Sequence, residues 1–581
     1  MSSDEFLNNK ISNLYDTRNY DLNNFLLSIE FLYSNKPDCI KAANSYLNRF
    51  NTNPSAFLIA INALSLNDLN EKVYLSSINI IKNKLRLGFA NYSNDFNTCN
   101  NMKNIIIQCI NKFKNKLKLY VIESLCQCYA YLILFSFKII SDIFESFTNN
   151  ICYEENAYDL KTNNKIILYL FTALGDIPLD KTIVVDIELL NEFKSFLRDN
   201  TSDIMLKFIY NILINNNFNC DTSYQGLNKD ILKTLISWLD FGLSDKTKQS
   251  LLENYSNIVN FIFDISEENL NYHKNCICML MLETSSSSML RYKNSNNINH
   301  KIEELKKIII TKVASFEPIV NKAIESNNQE AIDFFIDIFD AVCSQNLTEL
   351  INNSAVKVFY IIYRLTELSN ENKLSYLCDF WEIFIKHILN FNSSDELYVP
   401  YLEIIDKVII VISNKSKWSK SIFEKINKSQ YKDFKEDDNF VDTNSMRVSI
   451  KEFFNNIGNV MSFKKIYNSY FKSKLEHCVI SIKNNMTNIN NWIEFESIMY
   501  VFSCLVRFST SSDLDDIERV LVTCYEVPLD LVQINRTISD TIDELSHMLN
   551  KLPNLLNSSF AYLVNSLDKD MCRCKIIFEA I

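Results

Sequence analysis

The side chains best suited to metal binding are His273, Cys276 and Cys278, which lie close together in the stretch HKNCICMLML. Imidazole and thiolate groups are ordinary zinc ligands, but a structural zinc site needs four ligands in tetrahedral geometry. These three residues occupy nearly one helical turn and point in different directions, and no second cluster completes the site. We therefore expect no metal and interpret the thiols as buried parts of a helix. The same interpretation covers two further pairs, Cys126 with Cys128 and Cys572 with Cys574.

Catalytic signatures are missing from the rest of the sequence. The chain has 5 Gly, no two of them close together, so it contains no glycine-rich loop of the kind that cradles phosphates. Its 5 His are scattered, and none accompanies a nucleophile motif. We expect no enzyme and no cofactor. A hydrolase or transferase whose catalytic residues meet only in space is the most distant alternative.

The amino-acid composition predicts the type of secondary structure that positions any functional residue. The 581 residues include only 5 Gly and 7 Pro, whereas average usage would give about 70 of the two together. Tight turns between strands draw on both residues, so their scarcity predicts an all-α protein. A hydrophobic fraction of 47% excludes wholesale disorder.

The predicted helices come in pairs. Segments of about 12–20 residues follow one another along the chain, and pairs recur at roughly the 40–47-residue period of a helical-repeat solenoid. The first pair joins LNNFLLSIEFLYS to DCIKAANSYLNRF, and Pro54 opens the second pair at PSAFLIAINALSL. We expect the four tryptophans to anchor repeat cores: Trp238, Trp381, Trp418 and Trp492.

The stretch SINIIKNKLRLGF, residues 77–89, closes the second pair and combines an apolar face with three cations. Helical spacing places four apolar residues on one side: Ile78, Ile81, Leu85 and Phe89. Another side carries the basic stripe, defined as Asn79, Lys82, Asn83 and Arg86. We expect the apolar side to pack against neighbouring helices and the basic stripe to contact a partner. Plain solvated surface is the alternative.

The net charge and the cysteine content indicate which partners and which cellular compartment suit the protein. A net charge of −11 and a pI near 5.3 favour basic partners and argue against nucleic-acid binding. The first residues, MSSDEFLNNK, lack the apolar run of a secretory signal. The apolar stretch SLCQCYAYLILFSF is shorter than the roughly 20 residues that span a bilayer, so we interpret it as a buried helix. The 16 Cys then suggest reduced thiols in cytosol or nucleus.

Two polar stretches, residues 284–299 and 433–442, are predicted to be loops. The second carries the acidic loop, defined as Asp433, Glu436, Asp437 and Asp438. Such a run can be a solvated loop, or it can contact a basic partner.

Residues 36–89 resemble the N-terminal domain of importin-β-type nuclear transport receptors. The first helix matches through Ala42-Ala43, Tyr46-Leu47 and Phe50, and the last through Asn79, Lys82, Lys84 and Leu85. Ser76, Ser77 and Asn79 itself depart from the family's usual residues. Four later stretches resemble the transportin-SR branch in the right order: IILYLFTALGDIPLD, ILKTLISWLDFGL, LCDFWEIFIKHI and DDNFVDTNSMRVSIKEFFNNIGNVMSF.

The resemblance implies a right-handed α-solenoid superhelix of HEAT repeats. It implies importin-β-type N-terminal repeats at 1–100, exportin- or importin-like repeats at 101–283, and middle repeats at 300–581. The implied partners are the small GTPase Ran in its GTP form, Phe-Gly nucleoporins and a protein cargo that is Arg-Ser-rich or otherwise basic. The protein would be a monomer that shuttles between cytoplasm and nucleus, without membrane insertion or direct nucleic-acid binding. The basic stripe would meet Ran.

Two features set this chain apart from the family. Tyr131 stands where the next repeat more often has an acid, so the contacts of that helix are not assigned. The chain ends at MCRCKIIFEAI with no Arg-rich helix, so we expect it to stop before the C-terminal cargo repeats and to bind phosphorylated Arg-Ser cargo poorly. A non-transport helical-repeat scaffold for protein complexes is the alternative function.

Overall fold

The computed structural model of the chain describes most of its residues. They are 3–16, 20–66, 70–88, 96–114, 118–140, 143–151, 157–215, 225–265, 267–283, 307–352, 356–390, 399–428, 438–549 and 553–567. Regular structure in these ranges is entirely helical, as the scarcity of Gly and Pro predicts. The chain divides into two compact units, Met1–Leu305 and Lys306–Ile581.

The first unit contains helices α1 to α15. Their bounds are α1 Ser3–Tyr15, α2 Leu22–Leu32, α3 Pro37–Thr52, α4 Ala56–Leu64, α5 Glu71–Gly88, α6 Phe96–Phe113, α7 Leu119–Ser136, α8 Ile143–Ile151, α9 Ala157–Asp176, α10 Ile187–Phe196, α11 Ser202–Asn215, α12 Gln225–Phe241, α13 Asp245–Glu253, α14 Ser256–Phe263 and α15 Leu270–Glu283. A π-helical turn, Leu197–Thr201, joins α10 to α11.

The second unit contains helices α16 to α29. Their bounds are α16 Glu317–Glu325, α17 Gln329–Asn352, α18 Val356–Leu368, α19 Glu371–Asn390, α20 Val399–Lys415, α21 Lys420–Lys428, α22 Asp438–Gly458, α23 Phe463–Ile466, α24 Lys472–Asn484, α25 Ile489–Leu505, α26 Leu514–Tyr525, α27 Val532–Glu544, α28 Ser546–Leu549 and α29 Pro553–Leu567.

Helices stack in two rows within each unit. In the first unit α5, α7, α9, α12 and α15 contact one another in chain order and form the first row, while α2, α4, α6 and α8 form a second row. In the second unit the first row is α17, α19, α22, α25 and α27. Helix pairs stacked on their sequence neighbours are the arrangement of a helical-repeat array, so the predicted all-α repeat fold is confirmed.

Side chains that bridge adjacent pairs reproduce the repeat period. Lys103 Nζ donates to Ser146 Oγ across 43 residues of sequence. Cys109 Sγ donates to the Leu64 carbonyl across 45 residues, and Lys415 Nζ donates to the Ser369 carbonyl across 46. The predicted period of 40–47 residues therefore corresponds to the distance along the chain between one pair and the next.

The predicted core residues are buried. Trp238 and Trp381 are inaccessible to solvent, and Trp418 and Trp492 are also buried. The Trp238 indole donates to the Phe171 carbonyl at 2.8 Å and ties α12 to α9. Tryptophan suits this role because its ring fills a repeat core while its N–H satisfies a neighbouring backbone carbonyl.

Helix α7 explains the long apolar stretch of the sequence. It is long and apolar enough to cross a membrane, but 72% of it is buried inside the protein. Cys126 donates to the Ile166 carbonyl on α9, and Cys128 to the Ile78 carbonyl on α5. The prediction of a buried helix with buried thiols is confirmed, because α7 lies between two neighbouring first-row helices.

A buried ion pair connects helices of the second unit. Arg447 on α22 donates to both carboxylate oxygens of Glu496 on α25, at 2.9 and 2.7 Å, and the two side chains are 4% and 0% exposed. Thr537 on α27 donates a third hydrogen bond to Glu496 at 2.7 Å. Removing one partner of such a pair leaves an uncompensated buried charge, so the three helices are locked together.

Gly175 permits close packing between α9 and α12. A Cβ added there would lie 2.9 Å from the Ser237 Cβ, 3.1 Å from the Ser237 backbone carbon and 3.1 Å from Trp238 Cδ1. Cβ atoms in proteins essentially never come within 3.0 Å of another heavy atom, and the Ser237 Cβ cannot move without its backbone, so a side chain at this position of α9 would force the helices apart.

Gly175→Val should therefore destabilise the chain by about 1–3 kcal/mol, because its side chain would force α9 away from α12. Thermal unfolding measures the effect. Leu160→Val places the same side chain on the exposed side of α9, where Leu160 is 53% accessible, and should change stability by less than about 0.5 kcal/mol. Equal melting temperatures for the two variants would contradict the packing described.

Candidate partner-binding surfaces

Helix α5 has the two faces that its sequence predicts. Ile78, Ile81 and Leu85 are buried against neighbouring helices, with exposures of 0%, 1% and 0%. The basic stripe lies on the accessible side, where Asn79 and Asn83 are exposed and Lys82 and Arg86 are half-buried. Phe89, predicted to share the apolar face, lies outside the described residues. The helical facing is confirmed for the described part, whereas a partner contact of the stripe is a prediction.

Lys82 joins the basic stripe to the next repeat. Its Nζ donates to Gln127 Oε1 on α7 at 2.6 Å. Holding a long lysine side chain in one geometry lowers the entropy lost when a partner binds. The ammonium of Lys82 is therefore positioned by α7 as well as by its own helix.

Arg86 lies beside a segment that returns from α9. The backbone N–H of Val184 donates to the Arg86 carbonyl at 2.9 Å, so residues 180–186 pass over the end of α5. Tyr131 on α7 donates to Asp180 Oδ2 at 3.0 Å, and the Thr182 N–H donates to Asp180 Oδ1 at 2.9 Å. The returning segment is thereby fastened to both α5 and α7.

The Asp180 carboxylate is stabilised in its charged form. Burial alone would raise the pKa of Asp180, but hydrogen bonds from Thr182 and Tyr131 and the nearby Arg86 charge lower this pKa overall. Burial and the bond to Asp180 raise the pKa of Tyr131, so its hydroxyl keeps the proton that it donates. The sequence left Tyr131 without an assigned contact, and its partner lies 49 residues away.

A second polar surface lies on the first row of the second unit. Asp340 on α17, Asp379 and Glu382 on α19 and Glu452 on α22 form this acidic face, and Lys386 of α19 pairs with Glu382. Burial raises the pKa of Asp379, and the negative charges of Glu382 and Glu452 raise it further. Glu382 accepts from Asn456 on α22 at 2.6 Å, which holds the two helices side by side. Sequence analysis missed this face because its members come from three helices and form no local motif.

The predicted acidic loop is a different set of residues. Asp433, Glu436 and Asp437 lie outside the described residues. Asp438 is the first residue of α22, so the predicted loop is wrong for residues 438–442, which are helical. Contact between the acidic loop and a basic partner stays a prediction.

Of the three residues considered for metal binding, His273 and Cys276 are buried in α15, whereas Cys278 is half-buried. His273 is buried, its Nδ1 lies 2.9 Å from the Ile262 carbonyl, and burial lowers its pKa. Cys276 donates to the Leu232 carbonyl at 3.4 Å. Among the described residues, no group of three or more His, Cys, Asp or Glu side chains is arranged to hold a metal ion.

Comparison with known proteins supports the fold assignment. No protein-family model and no curated protein matches the chain. The Importin13 structure in its cytosolic state matches 88% of this chain at 12% identity and a TM-score of 0.55. A Kap121p mutant structure matches 96% of this chain at 10% identity and a TM-score of 0.35. The structure of yeast importin-β (Kap95p) matches 94% of this chain at 8% identity and a TM-score of 0.34.

This chain is shorter than the importin chains that it matches. The chain spans about half of the Importin13 and Kap121p chains, 55% and 56%, and 76% of the Kap95p chain. At 12% identity, the likeness to Importin13 is a likeness of fold. The chain shares the HEAT-repeat fold of that importin structure.

The acidic face leads to a pH-dependent prediction. Because the folded protein raises the pKa of Asp379, its charged form destabilises the fold at neutral pH. Asp379→Asn should raise the melting temperature at pH 7.5. The difference from the unsubstituted protein should shrink as pH falls toward about 4, because Asp379 then takes up a proton.

Calorimetric melts between these pH values measure the effect. Asp543→Asn, at an exposed aspartate of α27, is the matched control and should leave the melting temperature almost unchanged. A melting temperature for Asp379→Asn at or below that of the unsubstituted protein at pH 7.5 would contradict the electrostatic account.

Proposed function

We propose that this protein is a nuclear transport receptor of the importin-β type, which carries protein cargo through nuclear pores under the control of Ran-GTP. The observation that carries the proposal is the basic stripe on α5. This helix is the second member of the α4–α5 pair, where the sequence resemblance places a Ran contact. The HEAT-repeat fold shared with Importin13 supports the same function class. As a monomeric receptor, the protein would shuttle between cytoplasm and nucleus.

The geometry of the stripe suits recognition of a folded protein. Lys82 and Arg86 present cations one helical turn apart, with Asn79 and Asn83 between and beside them as hydrogen-bonding groups. Arginine and lysine at this spacing favour a partner surface with carboxylates. The buried Ile78, Ile81 and Leu85 keep the stripe on a rigid element, which preserves its geometry on binding.

The acidic face supports a basic cargo. Asp379, Glu382 and Glu452 lie on adjacent first-row helices. Lys386 already pairs with Glu382, so Asp379 and Glu452 are the carboxylates that an arginine- or lysine-rich segment would contact. The net charge of −11 adds a long-range attraction for such cargo. A basic cargo is therefore the cargo that we propose.

A groove between α24 and α26 offers a place for Phe-Gly nucleoporins. Its volume is about 360 Å³ and its apolar lining includes Leu475, Val479 and Val520. Ile480 also lines the groove, and its side chain is 59% exposed to solvent. Charged side chains also line the cleft: Lys472, Glu476, Asp516 and Arg519. A cleft of this size with apolar side chains on both helices accommodates a phenyl ring from an extended peptide, so we assign the weak nucleoporin contact to it.

The nucleotide dependence of Ran binding tests the proposal. Immobilised chain should retain Ran locked in the GTP form and retain little Ran in the GDP form. Equal retention, or none, would favour the alternative of a helical-repeat scaffold unconnected with transport.

Charge reversal tests the stripe itself. Lys82→Glu with Arg86→Glu should abolish most Ran-GTP binding, because both cations would repel the partner surface that they attract. Both side chains are half-buried and Lys82 donates to Gln127, so the melting temperature should fall modestly, and a melting curve checks that the variant still folds.

Leu85→Ala is the matched control on the opposite side of α5. It should cost about 2–5 kcal/mol of stability by leaving a cavity, without changing the charges of the stripe. Unaltered Ran-GTP binding by the double charge reversal would contradict the assigned role of the stripe.

A further inference from the structure

The last described helix, α29, has a buried side and an exposed apolar side. On the buried side, Leu563 is 2% exposed and the Tyr562 hydroxyl donates to Asn535 on α27. Three apolar residues at four-residue spacing lie on the exposed side, and we call them the α29 stripe: Leu556, Phe560 and Val564. Their exposures are 41%, 51% and 41%. Residues at this spacing are neighbours on a helix, so the stripe is one continuous apolar surface.

The sequence of α29 differs from that of a helix with a solvated side. PNLLNSSFAYLVNSL contains no charged residue, whereas the neighbouring helix α26 exposes Asp515, Glu518 and Arg519. A helix with one buried side usually carries charged and polar residues on the other. Apolar residues on two sides and the lack of charge are typical of a helix that is packed on both sides.

The chain continues after α29 with a segment of complementary pattern. Residues 568–581, DKDMCRCKIIFEAI, lie outside the described residues. Their sequence has four apolar residues at the helical spacing i, i+3, i+4 and i+7: Cys574, Ile577, Phe578 and Ile581. Arg573, Lys575 and Glu579 fall outside this apolar side. The apolar side of the segment spans about two helical turns, as the α29 stripe does.

We propose that residues 571–581 dock on the α29 stripe of their own chain, with Ile577 and Phe578 against the stripe. Three polar residues join the segment to α29: Asp568, Lys569 and Asp570. Connections of about 2–8 residues are usual between neighbouring helices, so the segment can reach the stripe. The contact would cover the exposed side of α29 and does not depend on the transport function proposed above.

The size of the stripe favours this occupant over a second copy of the chain. A stable complex between separate chains buries roughly 800 Å² on each partner. Three side chains that are about half exposed offer far less than this area. A segment attached to α29 needs less contact, because a short connection keeps its effective concentration in roughly the millimolar range.

Docking would place the two thiols of the segment in different surroundings. Cys574 belongs to the apolar side, whereas Cys572 is two residues earlier and falls on the opposite side of a helical pattern. Arg573 lies between them in the sequence, so both thiols have the same adjacent cation. A difference between their reactivities would therefore measure how far each thiol is shielded from the reagent.

Alkylation of the whole native chain with iodoacetamide, followed by peptide mass spectrometry, tests the proposal. Cys574 should react about tenfold more slowly than Cys572 or slower still, because it reacts only when the segment leaves the stripe. In urea the two thiols should react at similar rates. Equal rates in the native chain would overturn the proposal.

Substitutions on each side of the contact make the test specific. Phe560→Asp on the stripe and Ile577→Asp in the segment should each raise the Cys574 rate to that of Cys572, because each buries a charge in the contact. Val448→Asp, at a valine of α22 that is 53% exposed, is the control and should leave Cys574 slow. Melting curves check that Phe560→Asp folds, and Ile577→Asp leaves α29 itself unchanged. Slow alkylation of Cys574 in both variants would contradict the proposal.

Dilution separates the chain's own segment from a second copy. Alkylation of Cys574 that stays slow at every chain concentration, with a monomer in sedimentation, supports the intramolecular contact. If Cys574 becomes reactive on dilution and the concentrated chain sediments as a dimer, the stripe belongs to an interface between copies and the proposal is wrong.

Discussion

The fold depends on one constraint, which is that no helix pair buries its apolar face alone. Each pair is completed by the next, and the side chains that join them recur along the sequence at separations of 43, 45 and 46 residues. Glycine at position 175 lets two first-row helices approach closely, and the Trp238 indole closes the same contact with a hydrogen bond to the Phe171 carbonyl. In the second unit the buried pair of Arg447 and Glu496 has the corresponding role between α22 and α25.

This dependence between neighbours extends to the surfaces that we propose to bind partners. The basic stripe belongs to α5, yet Lys82 is positioned by Gln127 on α7 and Arg86 lies under a segment that returns from α9. The acidic face likewise requires α19 and α22 to remain side by side, as the bond between Asn456 and Glu382 ensures. A change in the stacking of repeats would therefore alter both surfaces, and binding at either would in turn favour one stacking geometry.

The sequence predicted those structural features that depend on a local residue pattern. Scarce Gly and Pro predicted the helices, and spacing along residues 77–89 predicted which side of α5 is buried. The contact between Tyr131 and Asp180 had no such signal, because 49 residues separate the partners and the path of the returning segment decides whether they meet. Nor did any pattern indicate the π-helical turn Leu197–Thr201 or the acidic face, whose members come from separate helices. The domain boundaries, which follow from the resemblance, and the partner contact of the acidic loop, which follows from its charge, stay predictions.

The central claim is that a GTPase in its GTP form docks on the basic stripe of α5. Hydrogen–deuterium exchange of the whole chain, measured alone, with Ran-GTP and with Ran-GDP, tests this claim most directly. The account predicts slowed exchange in residues 71–88 with Ran-GTP and little change with Ran-GDP. Slowed exchange confined to other helices, or equal protection by both nucleotide forms, would contradict it.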